Sequence, residues 1–343
     1  MMKRRYWALG SLGLVLSLGI PLMLGRGDAL RLLEAMPLWL WAATLGMIAL
    51  SWNVNAGRVR MLLAGLGRPM RQLPAVALIM ASEFAICASP AGAGGPVTYV
   101  VLLKRHGLSA AQGMAIYAVD QLMDLLFFVT TLSALGVYWL LVPARAQAYA
   151  PSQLLPLFAL LGAGLVAVLL LVRFHRGALL ALLRLLRKLR VSHRRRRRVA
   201  RWYAEFRGGL VMVGDFPPVR LLAIYALCAI HWLLRYSVLY VVLRGLGAHM
   251  TWVYSFLVQT LALTVGQFTL LPGGSGGAEL SASALLTPEV GAATAAAAII
   301  AWRFATYYWY LIAGAPVFLL QAGRWRSDRA KSAQALHAAR PPD

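Results

Sequence analysis

Long apolar runs with few polar interruptions follow one another along the chain. Six of them are long enough to cross a bilayer, because a membrane-spanning helix needs about 20 apolar residues. These runs cover residues 6–25, 38–63, 109–141, 154–173, 219–243 and 290–321. The first run follows Lys3, Arg4 and Arg5, and no small-residue cleavage site comes after it. We therefore interpret it as an uncleaved membrane anchor and not as a signal peptide.

Two further apolar segments are each broken by proline and glycine. Residues 72–88 stop at Ser89 to Pro96, and only a short apolar run, 97–103, follows. Residues 251–271 stop at Pro272 to Gly277, and only a short run, 278–286, follows. Neither short run can cross a bilayer. Each broken segment is therefore predicted to be a re-entrant helical hairpin, which enters and leaves the membrane on one side.

Composition and charge agree with a membrane protein. Of the 343 residues 60% are apolar and only 13% are charged, whereas about a quarter of a soluble domain is charged. This excludes an ordinary cytosolic enzyme, a disordered protein and a disulfide scaffold. The net charge of +23 would suggest nucleic acid in a soluble protein. Beside membrane spans it indicates the anionic cytoplasmic leaflet instead, and we expect no nucleic-acid partner.

The basic residues also set the orientation of the chain. With both broken segments re-entrant, the outside receives only Arg26, Arg31, Arg145 and Arg244, and most other basic residues face the cytoplasm. The predicted fold is therefore all-α and integral to the membrane, with six transmembrane helices and two re-entrant hairpins. We expect a multi-pass membrane protein with both termini in the cytoplasm.

The predicted organisation is one transmembrane domain with two basic cytoplasmic segments. The domain covers residues 1–321 and contains a basic loop at 174–218, and a basic tail covers 322–343. The loop has an amphipathic pattern over 176–190 and five consecutive arginines, Arg194 to Arg198. We expect it to contact the anionic leaflet. Docking of a protein partner on the loop is the alternative, and a homo-oligomer is left open.

The two glycine-rich breaks align with each other at one constant offset. Pro90, Gly92, Gly94 and Gly95 fall on Pro272, Gly274, Gly276 and Gly277, and the same offset relates Gln121 to Arg303. This predicts an internal repeat, with repeat one at 38–141 and repeat two at 219–321. By the charge argument the repeats have opposite orientations, so the hairpins enter from opposite faces. Inverted repeats with broken helices are an architecture of transporters.

Several ionisable side chains lie inside the apolar segments. An isolated charge there costs a few kcal/mol, so such groups must pair or face a wet cavity. Asp120 and Asp124 share one helix face, and Arg303 and Glu279 are candidates to pair. One interpretation is a purely structural ion network, and the other is a polar substrate path. For the path, the glycine-rich junctions would offer free backbone N–H groups, and the arginines would bind phosphate.

The substrate path defines a set of candidate binding residues. They are Arg303, Glu279, Gly273, Gly274, Gly276, Gly277, Arg235, Asp120, Gln121, Asp124, Glu83, Gly92, Gly94 and Gly95. No catalytic residue, metal ligand or cofactor is predicted, because the sequence has no Walker loop, zinc-type cluster or nucleophile elbow.

Two of these motifs resemble a known family. Leu271 to Glu279, followed by Arg303, resembles the Pro-Gly-Gly-x-Gly-x-x-Glu signature of the lysylphosphatidylglycerol synthase transmembrane-region family, which is flippase-like. Asp120 to Asp124 is similar to that family's Glu-Arg-Leu-x-Asp segment, with Gln121 in place of the arginine. The resemblance covers residues 10–320. It implies a stand-alone lipid-translocation module without the cytosolic aminoacyl transferase domain.

These observations predict an inner-membrane lipid flippase or transporter and no enzymatic activity. An anionic or phosphate-bearing head group would pass through a cavity between the two hairpins. The expected partner is a membrane phospholipid or an isoprenoid-type lipid. The alternatives are an intramembrane lipid-modifying enzyme and a non-transporting scaffold for a lipid-biosynthesis partner.

Overall fold

The structure is a computed structural model that describes residues 13, 15–25, 28–141 and 192–338, with single positions between 159 and 189. Every regular element in these ranges is helical, which confirms the all-α prediction for the described part of the chain. The helices are α1 Val15–Leu24, α2 Asp28–Glu34, α3 Leu38–Gly65, α4 Gln72–Cys87, α5 Gly94–Lys104, α6 Ala110–Leu141, α7 His193–Gly214, α8 Pro218–Gly245, α9 Trp252–Phe268, α10 Gly277–Val290, α11 Ala292–Arg303 and α12 Trp309–Ala338.

Two of the described helices are long and apolar enough to cross a membrane. They are Ala110–Val137 within α6, and α8. The pair α2 and α3, which is bent by 86°, gives a third span if it is counted as one broken element. The total of six spans stays a prediction. The predicted span at 154–173 and the amphipathic segment at 176–190 fall largely outside the described residues, and so does part of the first span.

Glycines end several of these helices. Gly67 follows α3 with φ +70°, and Gly247 follows α8 with φ +78°, the left-handed conformation that commonly terminates a helix. The second short run is longer than predicted, because α10 continues through Pro288 to Val290. Proline in the last turn removes a single backbone hydrogen bond, and the helix ends only at Gly291, with φ +79°.

The two predicted breaks have the same backbone conformation. The first break (residues 88–93) and the second break (residues 269–276) each contain a short 3₁₀ turn that begins with proline. In each turn the two residues after the proline have positive φ. They are Ala91 at 49° and Gly92 at 69°, then Gly273 at 63° and Gly274 at 68°. The two 3₁₀ turns contact each other.

The chain divides into two compact units. The first unit contains Met1–Arg60, Pro69–Gly107 and Ile230–Asp343, and the second contains Met61–Arg68 and Leu108–Ala229. In the first unit the two helices of each broken segment pack on one another, α4 on α5 and α9 on α10. The alanine-rich start of α11 packs against α2, where small side chains allow close approach. In the second unit α7, which carries Arg194 to Arg198, packs on α6.

Candidate functional site

The first ion pair joins Glu279, in the first turn of α10, to Arg303, at the end of α11. Glu279 Oε1 lies 2.6 Å from Arg303 Nε, and the side chains are 0% and 2% exposed. The Nε–H bond points toward Ser17 Oγ, 3.4 Å away, so the short contact is an ion pair and not an aligned hydrogen bond. Glu279 Oε2 accepts a hydrogen bond from the Gly276 N–H at 2.7 Å. The carboxylate therefore caps its own helix while it neutralises the arginine.

Arg303 is also tied to the second break. Its Nη2 group donates to the Gly273 carbonyl at 2.9 Å and lies 3.5 Å from Ser275 Oγ. The Tyr307 ring lies 4.5 Å from the guanidinium carbon, in the π-helical turn Phe304–Tyr308 that follows α11. A Cβ atom on Gly273 would be only 2.1 Å from that ring. The pair and the ring thus hold the second break against α11.

The second ion pair joins Glu83 of α4 to Arg235 of α8. Arg235 Nη1 lies 3.4 Å from Glu83 Oε1 and 3.5 Å from Oε2, and the side chains are 15% and 12% exposed. The guanidinium also packs over two rings, Tyr310 at 4.9 Å and Trp232 at 5.4 Å, both within cation–π range. This pair is longer and more accessible than the pair of Glu279 and Arg303.

Two hydrogen-bond donors beside the second pair have no acceptor among the described residues. One is Arg235 Nε, and the other is the indole Nε1 of Trp52. Trp52 is 4% exposed, and its ring packs edge-on against Tyr310 with the centroids 5.1 Å apart. A buried donor without an acceptor costs about 1–3 kcal/mol. Arg235 Nε therefore has room for an acceptor that the described residues do not supply.

The two ion pairs lie near a common point. Glu83 lies one helical turn before Cys87, the last residue of α4, and Arg303 donates to Gly273 of the second break, which also contacts α4. This cysteine directly precedes the first break, which contacts the second. Glu83, Arg235, Glu279 and Arg303 are therefore gathered beside the two breaks in the first unit.

The predicted binding glycines of the first break serve backbone packing. The Gly94 N–H donates to Ser89 Oγ at 2.8 Å, and a Cβ atom there would be 2.6 Å from the Ala85 carbonyl oxygen. A Cβ atom on Gly95 would be 2.3 Å from Ile86 Cγ1. Gly92 supplies the left-handed conformation of the turn. These glycines let α4 and α5 approach closely.

The glycines of the second break have similar roles. Gly274 lies against Gly266, where a Cβ atom would meet backbone atoms at 3.0 Å, and a Cβ atom on Gly277 would be 2.6 Å from Thr269 Cγ2. The N–H groups of Gly94 and Gly276, which the sequence suggested as free ligand donors, are bonded to Ser89 and Glu279.

Three predicted site residues belong to the second unit. Asp120 is 4% exposed, whereas Gln121 is exposed on the surface of α6. Asp124 Oδ1 accepts a hydrogen bond from Cys228 Sγ at 3.3 Å within the same unit. Their part in substrate binding stays a prediction.

The sequence interpretation missed the aromatic residues around the arginines. Tyr307 and Tyr310 follow Arg303 by about one and two helical turns, and Trp232 precedes Arg235 by about one turn. Residues at such spacings share a helix face. An aromatic residue at that spacing from an intramembrane arginine was the available signal.

The chain matches a known protein family and is similar to a known membrane protein. Residues 10–314 match the family described as the lysylphosphatidylglycerol synthase TM region. The chain is also 24% identical over 272 residues to a UPF0104 membrane protein of Archaeoglobus fulgidus, an alignment that covers 77% of this chain and 81% of that protein.

Proposed function

Because the chain belongs to the lysylphosphatidylglycerol synthase transmembrane-region family, we propose that it is a lipid transporter of the bacterial inner membrane. It moves the anionic or phosphate-bearing head group of a phospholipid or isoprenoid-type lipid along a polar path beside the two breaks. The observation that supports this most directly is the gathering of two arginine–glutamate pairs beside the contacting breaks of the first unit. Charges in a membrane interior are costly, and they mark substrate paths when they line a wet cavity.

The proposal includes a topology. Six helices span the bilayer, both termini lie in the cytoplasm, and the two broken segments are re-entrant hairpins that enter from opposite faces. The matched backbone of the two breaks supports an internal repeat, and the distribution of basic residues supports its inversion. Transport would then occur by rocking of one repeat against the other. Helix α7, with exposed Arg194, Arg195, Arg197 and Arg198, would contact the anionic leaflet.

Our proposal is transport and not catalysis, and the burial and pairing of Glu279 support it. Glu83 and Glu279 each serve as the counter-ion of an arginine, and Glu279 also caps α10. A general acid or base needs a carboxyl group within reach of the proton that it transfers. Glu279 is fully buried, and its two carboxylate oxygens contact Arg303 and the Gly276 N–H, so it does not meet this requirement.

Lipid movement in proteoliposomes tests the proposal. The purified chain is reconstituted with a fluorescent phosphatidylglycerol, and dithionite quenching reports the probe that reaches the outer leaflet. We expect wild type to move the probe, and Arg235→Gln to move it at least about tenfold more slowly. The matched control is Arg31→Gln. Arg31 is 86% exposed and lies 3.8 Å from Asp28, and such a surface ion pair contributes little to stability.

Other results would favour the two alternatives. Movement no faster than in protein-free vesicles would contradict transport. If mass spectrometry of the same vesicles then showed a new lipid species, the protein would be an enzyme. If it showed neither movement nor product, a scaffold would be the better account.

A further inference from the structure

The two ion pairs differ in how firmly the arginine is held. Arg303 contacts Glu279 at 2.6 Å and donates to the Gly273 carbonyl, and its side chain is 2% exposed. Arg235 reaches both oxygens of Glu83 through one nitrogen only, at 3.4 and 3.5 Å, and its side chain is 15% exposed. A well-made arginine–carboxylate pair has two parallel bonds at about 2.7–2.9 Å. Glu83 is thus a loosely bound partner of Arg235.

Two buried donors near Arg235 also remain without an acceptor in the described part of the chain. Among the described residues, Arg235 Nε and Trp52 Nε1 are buried without an acceptor. The rings of Tyr310 and Trp232 lie against the guanidinium and contribute no charge that competes for it. A group with several acceptor oxygens would give Arg235 Nε an acceptor while it pairs with the guanidinium, and a phosphate is such a group.

We infer that Arg235 binds the phosphate of the lipid head group, and that Glu83 is the resident counter-ion which the phosphate displaces. This inference rests on the proposed function and identifies its binding residue. Arg303 is assigned a different task, because its guanidinium is committed to Glu279 and to the second break. The exchange needs no covalent step, since one anion replaces another on the same guanidinium.

The inference predicts opposite effects for the two partners. Glu83→Gln removes the competing carboxylate and leaves Arg235 free for the phosphate, so affinity for a phosphate-bearing lipid rises. Arg235→Gln removes the binding group, so affinity falls. A purely structural ion pair predicts that both changes weaken binding, because each leaves one buried charge without its partner.

The experiment measures binding of soluble short-chain lipids to the full chain in detergent micelles. The probe is dihexanoyl phosphatidic acid, and dihexanoyl glycerol is the matched lipid without phosphate. We expect Glu83→Gln to tighten phosphatidic acid binding at least about tenfold and Arg235→Gln to weaken it at least about tenfold. In the double variant Glu83→Gln/Arg235→Gln the first substitution should give no gain, because the arginine that it would free is absent. Dihexanoyl glycerol should show no such pattern.

Controls separate this inference from the proposed function. Arg31→Gln, at the exposed pair with Asp28, should leave binding unchanged. Weaker or unchanged binding in a folded Glu83→Gln protein would overturn the inference even if lipid movement persists. The predicted binding pattern without lipid movement would instead contradict transport and leave a lipid-binding site. Inorganic phosphate that competes as well as the lipid at equal concentration would overturn the head-group assignment.

Discussion

The buried pair of Glu279 and Arg303 gives a quantitative prediction about stability. Arg303→Met keeps the length of the side chain and removes its charge, which leaves the fully buried carboxylate of Glu279 without a counter-ion. Removing one partner of a buried pair costs about 3–5 kcal/mol. The Gly273 carbonyl also loses its 2.9 Å hydrogen bond from Arg303, and the cost of this lost bond is already included in that range. We therefore expect Arg303→Met to lower the free energy of unfolding by about 4 kcal/mol.

The double variant Glu279→Gln/Arg303→Met separates the ion pair from simple packing. The glutamine that replaces Glu279 carries no charge, and its amide oxygen can still accept from the Gly276 N–H, as glutamine does in a capping box. The double variant should therefore be more stable than Arg303→Met by at least about 1 kcal/mol. A second substitution at a buried site would ordinarily lower stability further, so a gain in stability here shows that the unpaired charge caused the loss.

Unfolding by sodium dodecyl sulfate in mixed micelles, followed by circular dichroism, measures these differences. The matched control is Asp28→Asn/Arg31→Met at the exposed pair, which should change stability by no more than about 0.5 kcal/mol. The reasoning is refuted if Arg303→Met is as stable as this control. It is also refuted if the double variant is less stable than Arg303→Met.

Two glycines of the breaks give further predictions. Gly273→Ala should destabilise the protein by about 1–3 kcal/mol, because Gly273 has φ +63° and the new Cβ atom would lie 2.1 Å from the Tyr307 ring. The control is Gly46→Ala, where nothing lies within 4 Å of the new Cβ atom. This variant should be neutral or stabilising in the same unfolding assay. Gly95→Ala should also destabilise, because the Cβ atom would lie 2.3 Å from Ile86 Cγ1. Adding Ile86→Ala should recover part of that loss, and a double variant less stable than both single variants would contradict the assigned contact.

The sequence predicted the helices well because the apolar runs and their glycine and proline boundaries are local signals. The run 38–63 became α3, Leu38–Gly65, and the run 109–141 became α6, Ala110–Leu141. Both breaks were found from proline and glycine alone. The pairing of Arg303 with Glu279 followed from the need of a buried charge for a partner.

Other features depend on three-dimensional packing and had no local signal. The sequence did not show that Ser89 and Glu279 already occupy the N–H groups of Gly94 and Gly276. It also did not distinguish Arg303, which is buried and tightly paired, from Arg235, which is loosely paired and more exposed. Burial and competing partners are set by residues from several helices, so they appear only when the chain is folded.

Accessibility labelling of the loops that flank the two hairpins tests the account most directly. Single cysteines are placed in a chain whose two native cysteines, both buried, are replaced by alanine. Four exposed positions are used, namely Arg71, His106, His249 and Glu289. The account predicts that an impermeant thiol reagent labels 71 and 106 only from the cytoplasmic face, and 249 and 289 only from the opposite face. Labelling of 71 and 106 from different faces, or of all four positions from one face, would contradict two hairpins that enter the membrane from opposite sides.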